Sequence, residues 1–183
     1  MTARRLGICT GSGHWADAHA AGFDFVELGC AELLYDQDEA AFAPVRRKLI
    51  ASPIPVEALN CFLPGHRRVT GPAVDWGGVA AHMETVLRRA GEIGVSVLVF
   101  GSGGARRIPE GWPRDQAEQQ WIQAVRMAGD LGARFGVTVV LEPLFQKACN
   151  FFNRVDQGCV WVDRLDHPRV KLLADLYHMA WEA

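Results

Sequence analysis

Charged and polar residues that could do chemistry recur at one kind of place in this sequence, the end of an apolar run. Glu27 comes late in Phe23-Asp24-Phe25-Val26-Glu27-Leu28, and Asn60 lies near the end of Pro55–Phe62. Gly101-Ser102-Gly103-Gly104-Ala105-Arg106-Arg107 follows Val97-Leu98-Val99-Phe100. Glu142 follows five residues of a β-type run and precedes Pro143, and Asp175 and His178 follow Val170–Leu173. An ionised carboxylate at such a position is costly unless it is paired, hydrogen-bonded or bound to a cation. Three carboxylates gathered on one rim would suit a hard divalent cation of the Mg²⁺ or Mn²⁺ type.

Each position also has a plainer explanation. Glu27 could be one half of a salt bridge, and Asp175 alone could cap a helix. With His178 three residues on, Asp175 could instead share a site, which requires the strand to break between them. The Gly101–Gly104 loop could cradle a phosphate or be an ordinary turn. Arg106 or Arg107 could reach an anionic group or lie on the surface. Asn153 followed by Asp156 reads as a helix N-cap with an acidic first turn. His14, His19, His66, His82 and His167 lack ligand spacing and read as structural or solvent-facing. Nucleophile-elbow, Walker-loop, H-E-x-x-H and zinc-type Cys/His patterns do not occur, so covalent catalysis by serine or cysteine has no support.

The elements that must position these residues follow from periodicity. In three places a glycine suited to the left-handed position stops a helical pattern and a β-type run follows at once: Gly22, Gly94 and Gly136. The runs are apolar at nearly every position, as parallel strands covered on both faces should be. Strands are expected at Leu6–Thr10, around Phe25–Leu28, at Pro55–Phe62, around Val97–Phe100, around Val137–Leu141 and at Val170–Leu176. Helical stripes fill the gaps. They comprise Val79, Met83, Val86, Leu87, Ala90 and Ile93, then Ala117, Trp121, Val125, Ala128, Leu131 and Phe135, then Val155, Cys159, Val162 and Leu165. Shorter helices are expected at Trp15–Ala21 and Ala40–Ala51, the latter with Phe42, Val45 and Leu49 inward.

Five βα units and a sixth strand imply a parallel sheet with helical crossovers. A doubly wound sheet would carry a glycine fingerprint after the first strand, and Thr10-Gly11-Ser12-Gly13-His14-Trp15 lacks its third glycine. A (β/α)₈ barrel fits the repeat better but typically takes about 250 residues. The expected fold is therefore α/β, a barrel of TIM type present as about six strands and five helices in one domain over residues 1–183, short of completion by about two βα units.

With 183 residues, 49% hydrophobic, the chain can bury a substantial core. Nineteen basic against 21 acidic residues leave a net charge of −2, too little positive charge for a dedicated nucleic-acid binder. No apolar stretch nears the roughly 18 residues of a membrane span, and Met1-Thr2-Ala3-Arg4-Arg5 leads into a strand without a signal-peptide core. Five widely spaced cysteines without a C-x-x-C pattern suggest a reduced, cytoplasmic protein with buried thiols.

The segments Leu141-Glu142-Pro143-Leu144 and Leu173-Ala174-Asp175-Leu176-Tyr177-His178-Met179 together resemble strands five and six of the xylose-isomerase-like barrels. That group holds sugar phosphate isomerases and epimerases, tagatose/psicose 3-epimerases and hydroxypyruvate isomerases. Asn150–Gly158, Asn60–Gly65 and Phe100–Arg106 are similar to neighbouring rim segments of some members. The resemblance implies a divalent metal, Mn²⁺ or Mg²⁺ first and Co²⁺ or Zn²⁺ also, held by four side chains of which two match Glu142 and Asp175. It implies Glu142 as the acid/base and His178 as a contact to substrate oxygen. Arg106 is added as a substrate-binding candidate.

The implied activity is isomerisation or epimerisation of a sugar or sugar-like hydroxy-carbonyl compound through an enediolate. The partner is a small carbohydrate rather than nucleic acid or membrane, with homo-oligomerisation in view. Two further ligands, a histidine and a glutamate, come from strands seven and eight in such families, so weak or absent turnover is expected of these 183 residues alone. A glutamate that some epimerases place six positions after the strand-five ligand is Ala148 here, which speaks against a ketohexose 3-epimerase mode. Rival readings are a non-catalytic or partner-completed barrel and an endonuclease-IV-like metal phosphodiesterase; the latter would need more histidines and a basic face.

Overall fold

Helix stops and strand starts alternate along the chain, and the three glycines that make the stops adopt left-handed backbone, with φ of +82° at Gly22, +81° at Gly94 and +77° at Gly136. A side chain there would strain the backbone, so glycine turns each helix straight into its strand. The computed structural model describes residues 4–182; Met1–Ala3 and Ala183, included in the expected domain and the expected leaderless N-terminus, lie outside the described residues. No described helix is long and apolar enough to cross a membrane.

Among the described residues six strands form one sheet in sequence order: β1 (Gly7–Cys9), β2 (Phe25–Gly29), β3 (Val56–Asn60), β4 (Val97–Phe100), β5 (Thr138–Leu141) and β6 (Val170–Leu172). Every neighbouring pair is parallel. Among the described residues seven α-helices connect and flank them: α1 (Trp15–Ala20), α2 (Glu39–Ile50), α3 (Trp76–Glu92), α4 (Gly103–Arg106), α5 (Arg114–Phe135), α6 (Val155–Leu165) and α7 (Leu176–Trp181). This is the βα order of a barrel. The five expected helices are present; the short α4 and α7, each beginning just after a strand, are additions.

The core lies between the strands and the long helices. Val26, Leu28, Leu59, Leu98, Phe100, Val139 and Leu141 are buried on the sheet, and Val79, Met83, Val86, Leu87 and Ala90 meet them from α3. Phe62, Phe100, Trp121 and the pair Phe151–Phe152 form a column of tilted and edge-on rings whose successive centroids lie 5.1, 4.7 and 5.6–6.1 Å apart.

Three expectations need correction. β6 ends at Leu172 rather than Leu176: Leu173 still donates to the Leu141 carbonyl, after which the chain leaves the sheet and Asp175 caps α7. The break therefore comes before Asp175, not between it and His178. On α6 the buried residues are Gly158, Trp161 and Leu165 while Cys159 is exposed. The stripe has rotated because Trp161, the larger apolar group, packs against Phe151 with centroids 5.6 Å apart. Of the five thiols, only Cys30 and Cys149 are buried; Cys9, Cys61 and Cys159 are exposed.

Candidate metal centre

The strand ends open into a cavity of about 750 Å³ whose wall includes Glu27, Asn60, Gly101, Glu142 and Asp175. Parallel strands deliver it directly, because consecutive C-terminal ends fall side by side on one rim. Phe100 pairs with Leu141, so the next residues, Gly101 and Glu142, face each other across β4 and β5. A Cβ on Gly101 would collide with Glu142 Oε2, so the carboxylate rests directly on the glycine backbone.

Glu142, Asp175 and His178 present ligand-type atoms that all lie within 4.8 Å of one another. Asp175 does two jobs. One carboxylate oxygen accepts from the Tyr177 amide at 2.8 Å, capping α7, while the other lies 3.7 Å from His178 Nε2. His178 Nδ1 accepts from the Phe145 amide at 3.4 Å, so in the neutral ring Nε2 carries the hydrogen and faces the carboxylate as a donor. The ring stacks on Phe145, centroids 5.3 Å apart.

Burial, then the neighbouring charge of Asp175, pushes the Glu142 carboxyl up to about 7, with Arg106 pulling it down and Glu27 adding to the rise. Two carboxylates held together against their repulsion form a donor set that a hard divalent cation fits, since the cation would reverse the sign of the interaction that now raises Glu142.

Glu27 makes no salt bridge among the described residues. It accepts from Asn60 Nδ2 at 2.7 Å, and the same nitrogen lies 3.1 Å from Cys9 Sγ. Cys9, Cys61 and Tyr35 also line the cavity. These three escaped the sequence reading, although Cys9 ends β1 and Cys61 follows β3, the same strand-end rule that picks out Glu27. Ser102 Oγ accepts from the Leu63 amide at 2.9 Å and ties the loops after β3 and β4 together.

Arg106 does not sit where a substrate contact requires. It is fully buried, with Nε on the Gly101 carbonyl at 2.7 Å, Nη1 on Phe151 at 2.8 Å and Nη2 on Glu142 at 2.8 Å. Its guanidinium lies 3.8 Å from the centroid of the Phe152 ring. Burial lowers its pKa to about 10, so it stays charged at neutral pH. Arg107 donates to the Ala148 carbonyl at 2.7 Å. The Gly101–Gly104 loop is a wall of the cavity and the entry to α4. Asn153 is not the N-cap of α6, which is Arg154; its amide instead donates to the carbonyls of Leu144 and Cys149 at 2.5 and 2.6 Å, closing the loop after β5. His82, on the structural side as expected, is buried with Nε2 2.8 Å from the Phe62 carbonyl.

A parallel βα sheet with a carboxylate-rich rim at its C-terminal edge defines a TIM-barrel site. The chain belongs to the xylose isomerase-like TIM barrel family, whose sequence profile matches residues 15–183. Solved structures with the same fold include D-psicose 3-epimerase from Clostridium cellulolyticum H10, at TM-score 0.83 and 17% identity over 98% of this chain and 66% of that one. The 3-keto-D-glucoside 4-epimerase YcjR from E. coli superposes at TM-score 0.79 and 18% identity over 98% of this chain and 71% of that one. AP endonuclease, family 2 from Brucella melitensis superposes at TM-score 0.75 and 25% identity over 96% of this chain and 70% of that one. The chain thus spans about two thirds of the length of the epimerase. No curated protein matches it.

Proposed function

We propose that this chain carries the strand-one-to-six part of a divalent-metal-dependent isomerase or epimerase acting on a sugar or sugar-like hydroxy-carbonyl compound. The observation that carries the reading is the convergence of Glu142, Asp175 and His178 within 4.8 Å at the strand ends. Glu142 and Asp175 would hold the cation, Mn²⁺ or Mg²⁺ by their oxygen donors. When bound, it polarises the carbonyl and hydroxyl oxygens of the substrate.

The remaining chemistry belongs to the side chains. Glu142 takes the proton from the carbon beside the carbonyl and returns it. Returned to the neighbouring carbon, with the hydroxyl proton passing from the oxygen that becomes the carbonyl to the oxygen that was one, the proton completes an aldose–ketose isomerisation. A second acid delivering its own proton to the opposite face, with Glu142 left protonated, completes an epimerisation. His178 donates its Nε2 hydrogen to a substrate oxygen. The similarity to two sugar epimerases supports the fold this chemistry uses. Nineteen basic against 21 acidic residues supply no basic excess for the phosphate backbone of nucleic acid, so the phosphodiesterase alternative is the weaker reading.

The test is deuterium incorporation from D₂O into unlabelled aldoses and ketoses, followed by NMR with Mn²⁺ or Mg²⁺ present. Proton abstraction leaves deuterium on the carbon beside the carbonyl even where net turnover is slow. Exchange that Glu142→Gln abolishes supports the proposal. Absence of exchange across hexoses, pentoses and their phosphates, in a chain that binds the metal, rejects it.

A further inference from the structure

Arg106 is the largest polar group buried beside the site, and the mechanism above does not use it. We infer that Arg106 is a positioning residue, a clamp that joins the ends of β4 and β5 and thereby sets where the Glu142 carboxylate stands. This rests on Glu142 being the acid/base and metal ligand proposed above.

Three acceptors from distant parts of the chain define the clamp. Gly101 follows β4, Glu142 follows β5, and Phe151 belongs to the loop leading to α6; one planar guanidinium donates to the main-chain carbonyl of each at 2.7–2.8 Å. The Gly101 and Glu142 carbonyls are strand-end groups that the sheet no longer pairs, that of Phe151 lies in a loop, and a buried unpaired carbonyl is costly. Arginine suits the position because its fork fixes several acceptors in one plane while its face stacks on aromatic rings. Here the rings are Phe152 at 3.8 Å and Trp121 at 5.5 Å.

The link to the carboxylate is steric. Arg106 holds Gly101 and the main chain of Glu142 together, and the Glu142 side chain lies on Gly101 with no room for even a Cβ between them. Moving either carbonyl moves the surface on which the carboxylate rests. Lysine would offer one donor point in place of the fork, and the spacing between the two strand ends would relax.

The test follows the Glu142 side-chain resonance in the described chain labelled with ¹³C at glutamate carboxyls, titrated with MnCl₂. Glu142→Gln assigns the resonance. Paramagnetic broadening of that signal reports how well the carboxylate meets Mn²⁺, independently of turnover. The clamp predicts that Arg106→Lys, folded by circular dichroism, needs about 10–100-fold more Mn²⁺ for the same broadening, as loss of a supporting contact to a ligand typically does. Gly101→Ala, which displaces the carboxylate directly, should give a loss of the same kind. Arg106→Lys with unchanged Mn²⁺ dependence overturns the inference.

If Arg106→Lys does not fold, the unaltered chain still decides. The Arg106 Nε–H should exchange with solvent as slowly as the amides of β4 and β5, and fast exchange there rejects the clamp. Wild-type broadening without deuterium exchange into any sugar would sink the functional proposal and leave the clamp standing. Deuterium exchange with an Arg106→Lys chain that broadens like wild type would do the reverse.

Discussion

Glu142 is held at an energetic cost that shows up as pH dependence. Its carboxyl is raised to about 7 in the folded chain, by burial first and the Asp175 charge second, against an ordinary value of 4.5. Between those values the folded state binds a proton that the unfolded state has released. This contribution to stability is therefore complete below about pH 4.5 and is lost as pH rises to about 7. One unit corresponds to about 1.4 kcal/mol, and solvent around a partly exposed group screens part of it, leaving ~1–2 kcal/mol. Urea unfolding of metal-free wild type and Glu142→Gln at pH 5 and pH 7.5 should show the variant gaining that much on wild type at the higher pH. Parallel behaviour at both pH values would remove the argument. Asp175→Asn separates the two tasks of Asp175. Asparagine caps a helix as well as aspartate does, so at pH 5, where Glu142 is protonated and has no charge for Asp175 to repel, overall stability should change by less than ~0.5 kcal/mol. The Mn²⁺-induced broadening of the Glu142 resonance should nevertheless weaken by about an order of magnitude, since one of two oxygen ligands has lost its charge. A large stability loss with metal response intact would make Asp175 a cap and nothing more.

Elements are held to the sheet closely enough to invert a local rule. Gly132 lies inside α5, where glycine costs up to about 1 kcal/mol relative to alanine on an exposed helix. A Cβ at Gly132 would stand 2.6 Å from the Val137 carbonyl, main chain that cannot swing away. Gly132→Ala should therefore destabilise by about 1–3 kcal/mol rather than stabilise, read as a lower urea midpoint with unchanged slope. A rise in the midpoint would mean that helix and strand separate easily. This same contact marks where the sequence stops being legible. Strands and helices could be read because each buries a continuous face and each stop is local: Gly22, Gly94 and Gly136 occupy the left-handed turns their positions suggest. Glu142, Asp175 and His178 could be brought to one rim because parallel strands leave no other place for their ends. Leu173 and Ala174 prolong an apolar run past the end of β6, where the cap at Asp175 prevails over strand propensity. The inward face of α6 is chosen by Trp161 and the Phe151–Phe152 pair, a tertiary choice that period alone does not reveal. Arg106 was least legible, since its three partners lie 5, 36 and 45 residues away and an arginine after a strand has no local signal for burial.

For the whole molecule, β1 and β6 lie at the two ends of the described sheet order, each paired on one side only. Unpaired strand edges template association, and here one of them adjoins apolar surface. Leu176, Tyr177 and Trp181 of α7 are 79%, 59% and 54% exposed. Fully burying such a side chain from full exposure stabilises by about 1.5–3 kcal/mol, so two copies meeting through α7, burying what these six still expose, would gain ~6–12 kcal/mol. Association costs about 4–15 kcal/mol in lost freedom. Gain and cost cover overlapping ranges, and the expected behaviour is weak, concentration-dependent self-association of the described chain rather than a tight dimer. Sedimentation velocity should show the mean sedimentation coefficient rising with protein concentration. Leu176→Glu should flatten that rise, and it should do so with α7 intact, because an acidic residue in the first turn suits the positive end of the helix. A chain that sediments as a monomer at every concentration would mean that the apolar face of α7 is tolerated in water. Association unaffected by Leu176→Glu would instead place the contact at the β1 edge, the other strand paired on one side only.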